Sequence, residues 1–220
     1  MRNYYITGTD TEIGKTRVSC QLLRALQARG ISTTAYKPVA SGAELVAGKL
    51  QNEDALALMA ASGTAQTYTD INPWCFAEAV APHFLAAEAG VNIDPQRMAS
   101  IINQTEVDVA VIEGVGGWLA PLDANTTQAD MARAAGATVI LVVGMRLGCI
   151  NHALLSAERI ENDGLVLTGW VANQVDATMD RYQENIETLT ARITAPLIAT
   201  VAWGEQSMEL SDVFLGDLLT

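Results

Sequence analysis

The feature with the clearest chemical potential is a glycine-rich segment, GTDTEIGKT, at residues 8–16. It follows the short apolar run of residues 4–6 and precedes a stretch with helical apolar spacing at residues 18–26, which is the order strand, turn, helix. Glycines let the backbone curl until successive N–H groups point at one spot, and the helix N-terminus adds its positive dipole there. Lys15 can then contact nucleotide phosphates, and the Thr16 hydroxyl can bind Mg²⁺. The segment is predicted to be a phosphate-binding loop, although its two glycines are separated by five residues instead of the usual four.

Two carboxylates elsewhere in the chain could complete a metal site with Thr16. Glu113 ends a nearly continuous apolar run at residues 107–112, the place of the Walker B acid, where Asp is the more usual residue. Asp54 opens a predicted helix after a flexible loop. Because Mg²⁺ prefers hard oxygen ligands together with phosphate oxygens, these three side chains are predicted to hold it. The alternatives are a helix N-terminal charge for Asp54 and a surface acid for Glu113.

A second lysine is placed to meet the same phosphates. Lys37 leaves a β-prone stretch at residues 32–39 and is followed by Pro38. Since ligands of α/β proteins bind at the carboxyl ends of the strands, Lys37 is expected near Lys15. Two cations at one site indicate a substrate or transition state with concentrated negative charge. A solvated lysine at a strand end is the alternative.

The elements that must position these groups alternate between strands and helices along the chain. Strands are predicted at residues 3–7, 32–39, 107–114, 138–143, 168–175 and 196–202, and helices at residues 17–29, 53–61, 82–88, 95–105, 127–135, 151–163, 180–193 and 210–219. Loops or irregular segments are predicted at residues 40–52, 63–72 and 114–117. This order predicts one α/β domain over residues 1–220, with a doubly wound, mainly parallel β-sheet flanked by helices, of the P-loop NTPase type.

Composition narrows the class of protein. Half of the 220 residues are hydrophobic and 17% are charged, which suits a packed core and argues against long disorder. The formal net charge of −12 disfavours a nucleic-acid partner. Three cysteines without a CxxC pair suit a reducing compartment. Because the sequence has neither a signal peptide nor an apolar run of membrane-spanning length, we expect a cytoplasmic enzyme without a membrane partner.

Six segments together resemble the dethiobiotin synthetase family of the biotin pathway. They are GTDTEIGKT, YKPVASG, NEDALAL, EGVGGW, VVGMRLGCINHALL and GWVANQV, and they extend the likeness from residue 3 to about residue 203. The combination is specific, whereas a phosphate loop alone is not. The resemblance implies an ATP-dependent ligase that joins 7,8-diaminononanoate and CO₂ into the cyclic urea of dethiobiotin. It implies a carbamate, its phosphorylation by ATP, and attack by the second amine with release of ADP and phosphate.

The resemblance also implies roles for individual residues by position. Catalytic roles fall to Lys37, Lys15 and Thr11, and Lys37 would stabilise the carbamate and the γ-phosphate. Mg²⁺ would be the cofactor and ATP the cosubstrate, with Thr16, Asp54 and Glu113 as metal ligands. The nucleotide would contact Glu12, Ile13, Gly14, Lys15, Thr16, Arg17, Asp54, Glu113, Gly114, Val115, Gly116, Asn173, Gln174, Ala202, Trp203 and Gly204. The diamino acid would contact Ser41, Gly148, Cys149, Ile150 and Asn151. Asn173 and the loop at Trp203 are expected to face adenine.

A homodimer with an active site shared across the interface is a further implication of the resemblance. Gly148 frees the backbone at the start of a predicted helix, whose first N–H groups lack intrahelical partners and suit a carboxylate. The expected substrate has a carboxylate far from its amines, so it needs an anion site remote from the phosphates. A plain β–α turn with Asn151 as the helix N-cap is the alternative.

Three other interpretations stay open on the residues alone. A switch ATPase of the partitioning or cluster-assembly type shares this fold, but carries a lysine where this chain has Asp10. A kinase of a small metabolite would need no carboxylation. The family pattern has a proline and a serine near Ala79 and Ala81, so a paralogue with a shifted substrate also stays open. The family often has proline where this chain has Ala202, which leaves the base contacts there open.

Overall fold

The computed structural model describes residues 1–219, and its centre is a six-stranded parallel sheet. The strands are β1 (Arg2–Gly8), β2 (Thr33–Tyr36), β3 (Val39–Ala40), β4 (Glu44–Val46), β5 (Lys49–Gln51), β6 (Trp74–Cys75), β7 (Val109–Gly117), β8 (Thr138–Met145), β9 (Leu167–Gln174) and β10 (Leu197–Val201). The helices are α1 (Lys15–Gln27), α2 (Glu53–Ala61), α3 (Tyr68–Ile71), α4 (Pro82–Ala89), α5 (Pro95–Ile102), α6 (Gln128–Ala134), α7 (Cys149–Asn162), α8 (Tyr182–Thr190) and α9 (Asp212–Leu219).

The main sheet has the strand order β10-β9-β8-β1-β7-β2, and each neighbouring pair is parallel. The chain passes from β1 to β2 on one side, and from β7 to β8 on the other side of β1. The carboxyl end of β1 therefore lies where the winding direction reverses, which is where open α/β sheets bind ligands. The predicted doubly wound, mainly parallel α/β sheet is confirmed.

Helices cover both faces of this sheet, with a hydrophobic cluster under each layer. Alternate residues of one strand enter different clusters: Tyr5 belongs to the cluster that includes side chains of α5 to α8, whereas Tyr4 and Ile6 belong to the cluster that includes side chains of α1, α2 and α9. Strands buried on both faces read as continuous apolar runs, which is the pattern that residues 107–112 and 138–143 show. Within residues 1–219, no helix combines the length and the apolarity needed to cross a membrane.

The single strand predicted at residues 32–39 is wrong, because the chain leaves the sheet at Lys37. The N–H of Lys37 donates to Ile71 O at 2.9 Å instead of to a sheet neighbour, and Pro38 has no N–H to donate. The chain then forms the short β3, which pairs with β6 in a separate two-stranded sheet. This departure frees Lys37 to direct its side chain into the site described below.

Three segments predicted as loops or irregular contain regular structure. Residues 40–52 include the hairpin β4–β5, which turns at Ala47 and Gly48 with φ angles of 49° and 80°, as tight hairpin turns require. Residues 63–72 include α3, which begins with a capping box between Thr67 and Asp70. Residues 114–117 extend β7, where Gly117 pairs with Gly8 after a register shift. Glycines carry no side-chain periodicity, so this extension has no sequence signal.

Candidate active site

The glycine-rich segment wraps around the start of α1. Gly14 is the helix N-cap with a φ of 81°, and Glu12 also has a positive φ, of 58°. A Cβ on Gly14 would lie 2.3 Å from Asn173 Nδ2, so the close approach as well as the φ angle requires glycine. Alternation of such backbone angles turns N–H groups inward and forms an anion-binding concavity. The segment therefore has the geometry of a phosphate loop at the end of β1.

Lys15 is a buried cation within this loop. It is 6% exposed, and its Nζ donates to Asp10 O at 3.0 Å. Burial, together with the nearby charge of Lys37, lowers the Lys15 pKa to about 8 against the opposing effect of Glu113 and Asp54. A phosphate group would supply the anionic partner that this ammonium lacks.

A cluster of four side chains lies beside the loop. Lys37 Nζ is 2.6 Å from Glu113 Oε1 and 3.3 Å from Asp54 Oδ2. The Thr16 hydroxyl donates to the same Glu113 Oε1 at 2.8 Å. Burial by itself would lower the Lys37 pKa, but the charges of Glu113 and Asp54 outweigh it and the pKa is raised. Burial would raise the Asp54 pKa, but the Lys37 charge and the Thr16 hydroxyl outweigh it, and that pKa is lowered.

The oxygen atoms of this cluster fit a magnesium ion. Glu113 is fully buried, and its Oε2 has no hydrogen-bond partner among the described residues. A buried acceptor without a donor is costly unless a cation or water meets it. Two carboxylates and a hydroxyl are the hard ligands that Mg²⁺ takes, with further positions left for phosphate oxygens and water. Thr16, Asp54 and Glu113 are thus suited to the role the sequence predicts for them.

One cavity of about 340 Å³ joins the phosphate loop and the four-residue cluster. Eleven of the predicted site residues line it: Thr11, Glu12, Gly14, Lys15, Thr16, Lys37, Ser41, Asp54, Glu113, Val115 and Gly116. Three further residues line it that the sequence did not single out, namely Ala40, Asn52 and Glu53. Asn52 caps α2 by accepting from Ala55 N at 3.2 Å, and donates to Ser41 O at 3.2 Å. An asparagine directly before Glu53 and Asp54, at the start of a predicted helix, is the sequence pattern that could have identified Asn52 as an N-cap.

The residues predicted to meet adenine lie on the other side of the phosphate loop. Asn173 is 1% exposed, and its Nδ2 donates to Ile13 O at 2.7 Å beneath the loop. Its Oδ1 accepts from Arg17 at 3.2 Å. Gln174 accepts from Trp203 N at 3.1 Å, and the Trp203 side chain is 59% exposed. In this structure the Asn173 amide supports the phosphate loop, while Trp203 is free to meet a ligand. Gly114, Ala202 and Gly204 do not line the cavity.

The set Gly148 to Asn151 does not line the cavity that contains Ser41. Helix α7 begins at Cys149, two residues earlier than predicted, and its N-cap is Gly148 with a φ of 95°. The interpretation of Asn151 as the N-cap is therefore wrong, because a left-handed Gly148 starts the helix before it. Cys149 is buried, and the adjacent Leu147 is 98% exposed. Within one chain, these four residues therefore stay outside the cavity of Lys15 and Lys37.

Tyr5 and Gln128 form a buried pair near Glu113 that no pattern in the sequence indicated. The Tyr5 hydroxyl donates to Gln128 Oε1, and Gln128 Nε2 donates to Val115 O at 2.6 Å. Burial raises the Tyr5 pKa, and the charge of Glu113 adds to the rise. Gln128 is fully buried, so it fixes the segment after Glu113 from inside the core.

A parallel doubly wound sheet, a phosphate loop with Lys15 and Thr16, and a strand-end acid define a P-loop NTPase. Solved structures share this fold. The chain matches the signal recognition particle receptor FtsY from Elizabethkingia anophelis in complex with GDP at a TM-score of 0.55 and 12% identity, covering 99% of this chain and 63% of the receptor. It matches FtsY from Thermotoga maritima at a TM-score of 0.57 and 14% identity, covering all of this chain and 68% of that one. At such identities the likeness concerns the fold alone.

Closer relatives specify the family. Residues 2–211 match the model of a family described as an AAA domain. The ATP-dependent dethiobiotin synthetase BioD of Aromatoleum aromaticum is 50% identical over 202 residues, which cover 91% of this chain and 90% of that protein. The enzymes of the same name from Pseudomonas aeruginosa UCBPP-PA14 and Alteromonas mediterranea are 48% and 44% identical, over 91% and 92% of this chain and 90% and 93% of their own lengths. The chain belongs to the dethiobiotin synthetase family, and the resemblance seen in the sequence is confirmed. The switch ATPase and the metabolite kinase are set aside.

Proposed function

We propose that this protein forms dethiobiotin from 7,8-diaminononanoate, CO₂ and ATP. The observation that carries the proposal is the convergence of Lys15, Lys37 and the α1 N-terminus on one cavity beside two carboxylates. Family membership makes the protein an ATP-dependent ligase of the biotin pathway. A carbamate next to a triphosphate is a dense negative charge, and this cavity holds the positive charge that it needs.

The reaction has three steps in this proposal. One amine attacks CO₂, forms a C–N bond and loses a proton, which gives a carbamate. A carbamate oxygen then attacks the γ-phosphorus of ATP, the bond to the ADP oxygen breaks, and a carbamic-phosphoric anhydride forms. The second amine attacks the carbamate carbon, the C–O bond to phosphate breaks, and the ring closes with loss of a second proton. No covalent bond to the protein is required, which agrees with the reliance of phosphoryl transfer on positioning and electrostatics.

Lys37 is placed to act during phosphoryl transfer. Its side chain is 4% exposed, and its ammonium is already held by Glu113 and Asp54, so little reorganisation is needed when charge builds on the carbamate and the transferring phosphate. Lys15 contacts the β- and γ-phosphates from the loop, and Thr11, which lines the same cavity, orients the reacting groups. Ser41, which lines the same cavity, contacts the diamino acid in this proposal.

Thr16, Asp54 and Glu113 hold Mg²⁺ in this proposal. The ion, when bound, neutralises charge on the β- and γ-phosphate oxygens. The buried Glu113 Oε2 is the acceptor that gains a partner. Until then Thr16 and Lys37 share the other oxygen of Glu113, which keeps the carboxylate oriented toward the cavity.

The proposed active unit is a homodimer in which α7 of one subunit completes the site of the other. The substrate carboxylate is received by the backbone of residues 148–151, which does not reach the cavity of its own chain. Three exposed leucines support an interface near α7: Leu147 directly precedes this helix and is 98% exposed, Leu155 lies in it and is 59% exposed, and Leu119 is 67% exposed. Leu119 and Leu155 also line a common cavity of about 260 Å³.

With three free cysteines and a net charge of −12, a cytoplasmic enzyme without a nucleic-acid partner is the proposed setting.

The direct test is mass spectrometry of the product from 7,8-diaminononanoate, ATP and bicarbonate. A dethiobiotin mass that carries one carbon from labelled bicarbonate, formed together with ADP, is the expected result. ADP release that is independent of bicarbonate contradicts the carboxylation. A labelled cyclic urea obtained only from a diamine of another chain length identifies a paralogue with a shifted substrate. Lys49→Met, at an exposed hairpin position, is the control for Lys37→Met in this assay.

A further inference from the structure

The segment Ala202–Glu205, here called the base loop, is held against α1 by polar contacts. It follows β10, and Trp203 and Glu205 are both exposed. Ala202 O accepts from Arg17 Nη2 at 2.7 Å, and Glu205 O accepts from the same nitrogen. Gln21 Nε2 also donates to Glu205 O, at 2.9 Å. A loop without buried side chains depends on such contacts for a fixed position.

Arg17 also reaches the phosphate loop, through Asn173. Its Nη1 donates to Asn173 Oδ1 at 3.2 Å, and Asn173 Nδ2 donates to Ile13 O at 2.7 Å. The buried Asn173 amide lies so close to Gly14 that a Cβ there would approach it to 2.3 Å. One guanidinium therefore connects the base loop with the segment that encloses the phosphates.

The Arg17 side chain is bonded to the protein and does not enter the phosphate cavity. The sequence grouped Arg17 with the residues that contact the nucleotide, but its side chain makes three hydrogen bonds to the protein and does not line the cavity of Lys15 and Lys37. A guanidinium presents several donors in one rigid plane, which suits three acceptors at once. A lysine in its place would keep the charge but not this fork.

We propose that Arg17 is a positioning residue that fixes the base loop relative to the phosphate loop, and so sets how strongly the base contributes to ATP binding. The inference rests on the proposed function in one respect: the nucleotide must extend from the phosphate loop to the base loop. When Arg17 is absent, the base loop has to be ordered each time ATP binds, and the free-energy cost of that ordering weakens ATP binding. A ligand that consists of phosphates alone does not reach the base loop and is indifferent to Arg17.

The test compares ATP with inorganic tripolyphosphate in calorimetric titrations, both with Mg²⁺. Arg17→Lys keeps the charge without the fork, and Arg17→Met removes both. We expect the Kd for ATP to rise about tenfold in both variants, and the Kd for tripolyphosphate to stay within about twofold of the wild-type value. Arg24→Met is the matched control, since Arg24 is an exposed residue of the same helix, two turns further on. It should change neither constant.

Fluorescence supplies a second readout that does not depend on turnover. Trp203 is 59% exposed, whereas the other three tryptophans, Trp74, Trp118 and Trp170, are at most 5% exposed. Acrylamide quenching therefore reports mainly on the base loop. In ligand-free protein we expect faster quenching in both Arg17 variants than in the wild type and in Arg24→Met, with unchanged cooperative thermal unfolding as evidence of an intact fold.

Several results would overturn the proposal. If Arg17→Lys bound ATP as tightly as the wild type, or if Arg17→Met lost affinity for ATP and for tripolyphosphate equally, Arg17 would act through its charge on the phosphates instead. Wild-type protein that binds ATP no more tightly than tripolyphosphate would mean that the base loop contributes nothing for Arg17 to set. Dethiobiotin formation is measured separately, so its absence rejects the proposed function while the titrations still decide the role of Arg17.

Discussion

Lys37 Nζ lies 2.6 Å from Glu113 Oε1, with the two side chains 4% and 0% exposed and 76 residues apart in the chain. The same oxygen accepts the Thr16 hydroxyl at 2.8 Å. Glu113 Oε1 thus accepts hydrogen bonds from both Lys37 and Thr16. Lys37 and Thr16 therefore use one oxygen of Glu113 and leave Oε2 without a hydrogen-bond partner among the described residues, as the proposed metal site requires.

Replacement of Lys37 by methionine should depress turnover far more than ATP binding. A preorganised cation at a developing charge contributes on the order of 10²–10³ in rate, whereas the ground-state nucleotide is held by the loop and Lys15. The measurements are the rate of dethiobiotin formation and the ATP dissociation constant, with Lys49→Met as the control at an exposed lysine. Equal losses in rate and affinity would make Lys37 a ground-state phosphate ligand.

Neutralising either proposed metal carboxylate should raise the Mg²⁺ concentration needed for activity. Glu113→Gln and Asp54→Asn each remove one anionic oxygen ligand while keeping the size of the side chain. Magnesium titrations of ADP release at saturating ATP, and Mn²⁺ binding followed by electron paramagnetic resonance, measure the effect. Glu44→Gln, at an exposed position of β4, is the control. Unchanged titrations in both variants would show that the metal is held elsewhere.

ATP binding should weaken as the pH rises through about 8. The Lys15 pKa is lowered to about 8, so the ligand-free ammonium is charged below this value and loses its proton above it. Because phosphates favour the charged form, binding above about pH 8 takes up a proton, and titrations in two buffers of different ionisation enthalpy measure this uptake. Lys15→Arg should remove the uptake, since arginine stays protonated. Absence of uptake in the wild type up to about pH 9.5 would contradict the lowered pKa.

The same shift has a consequence for the stability of the ligand-free protein. Between pH about 8 and the usual lysine value of 10.5, the unfolded chain binds the Lys15 proton and the folded chain does not. Lys15 therefore makes the free energy of unfolding rise with pH in this window. The difference between wild type and Lys15→Arg in denaturant titrations across the window isolates this contribution.

Alanine at Gly114 should destabilise the protein and disturb the cavity. A Cβ there would lie 2.7 Å from Gln128 Oε1 and 3.0 Å from the Tyr5 ring, and both partners are buried. Overpacking of this kind costs about 1–3 kcal/mol. The control is Gly216→Ala, where an added Cβ meets nothing within 4 Å and helix propensity favours alanine. Equal free energies of unfolding for Gly114→Ala and the wild type would show that Tyr5 and Gln128 can move aside without destabilising the protein.

Mixed dimers should regain activity if the site is shared. Gly148 has a φ of 95°, so a substitution there strains the backbone, and Asn151→Glu is the better way to place a carboxylate at the α7 start. Lys15→Met mixed with Asn151→Glu should recover about a quarter of wild-type activity, because half of the dimers are mixed and each has one intact site. Lys15→Met mixed with Lys37→Met is the control and should stay inactive. A monomer in sedimentation at the assay concentration would exclude the shared site.

Much of the fold followed from local pattern. The apolar runs of β7 and β8 marked strands buried on both faces, and Pro95 after Asp94 marked the start of α5. The sequence pattern did not predict the end of β7 or the hairpin β4–β5, and each failure has a physical reason. The glycines that extend β7 have no periodicity to read, and the hairpin β4–β5 is exposed and carries little apolar alternation.

By itself, the sequence determined the phosphate loop, the α/β class and the polar residues at the strand ends, because glycine conformation, helix starts and strand burial depend on neighbours along the chain. Only the tertiary structure decided which of these residues meet. Strand register brings Lys37 to Glu113 across 76 residues, and packing turns the Asn173 amide beneath the phosphate loop and directs Arg17 to the base loop. Side-chain partners distant in sequence depend on register and rotamer, and the spacing of residues encodes neither.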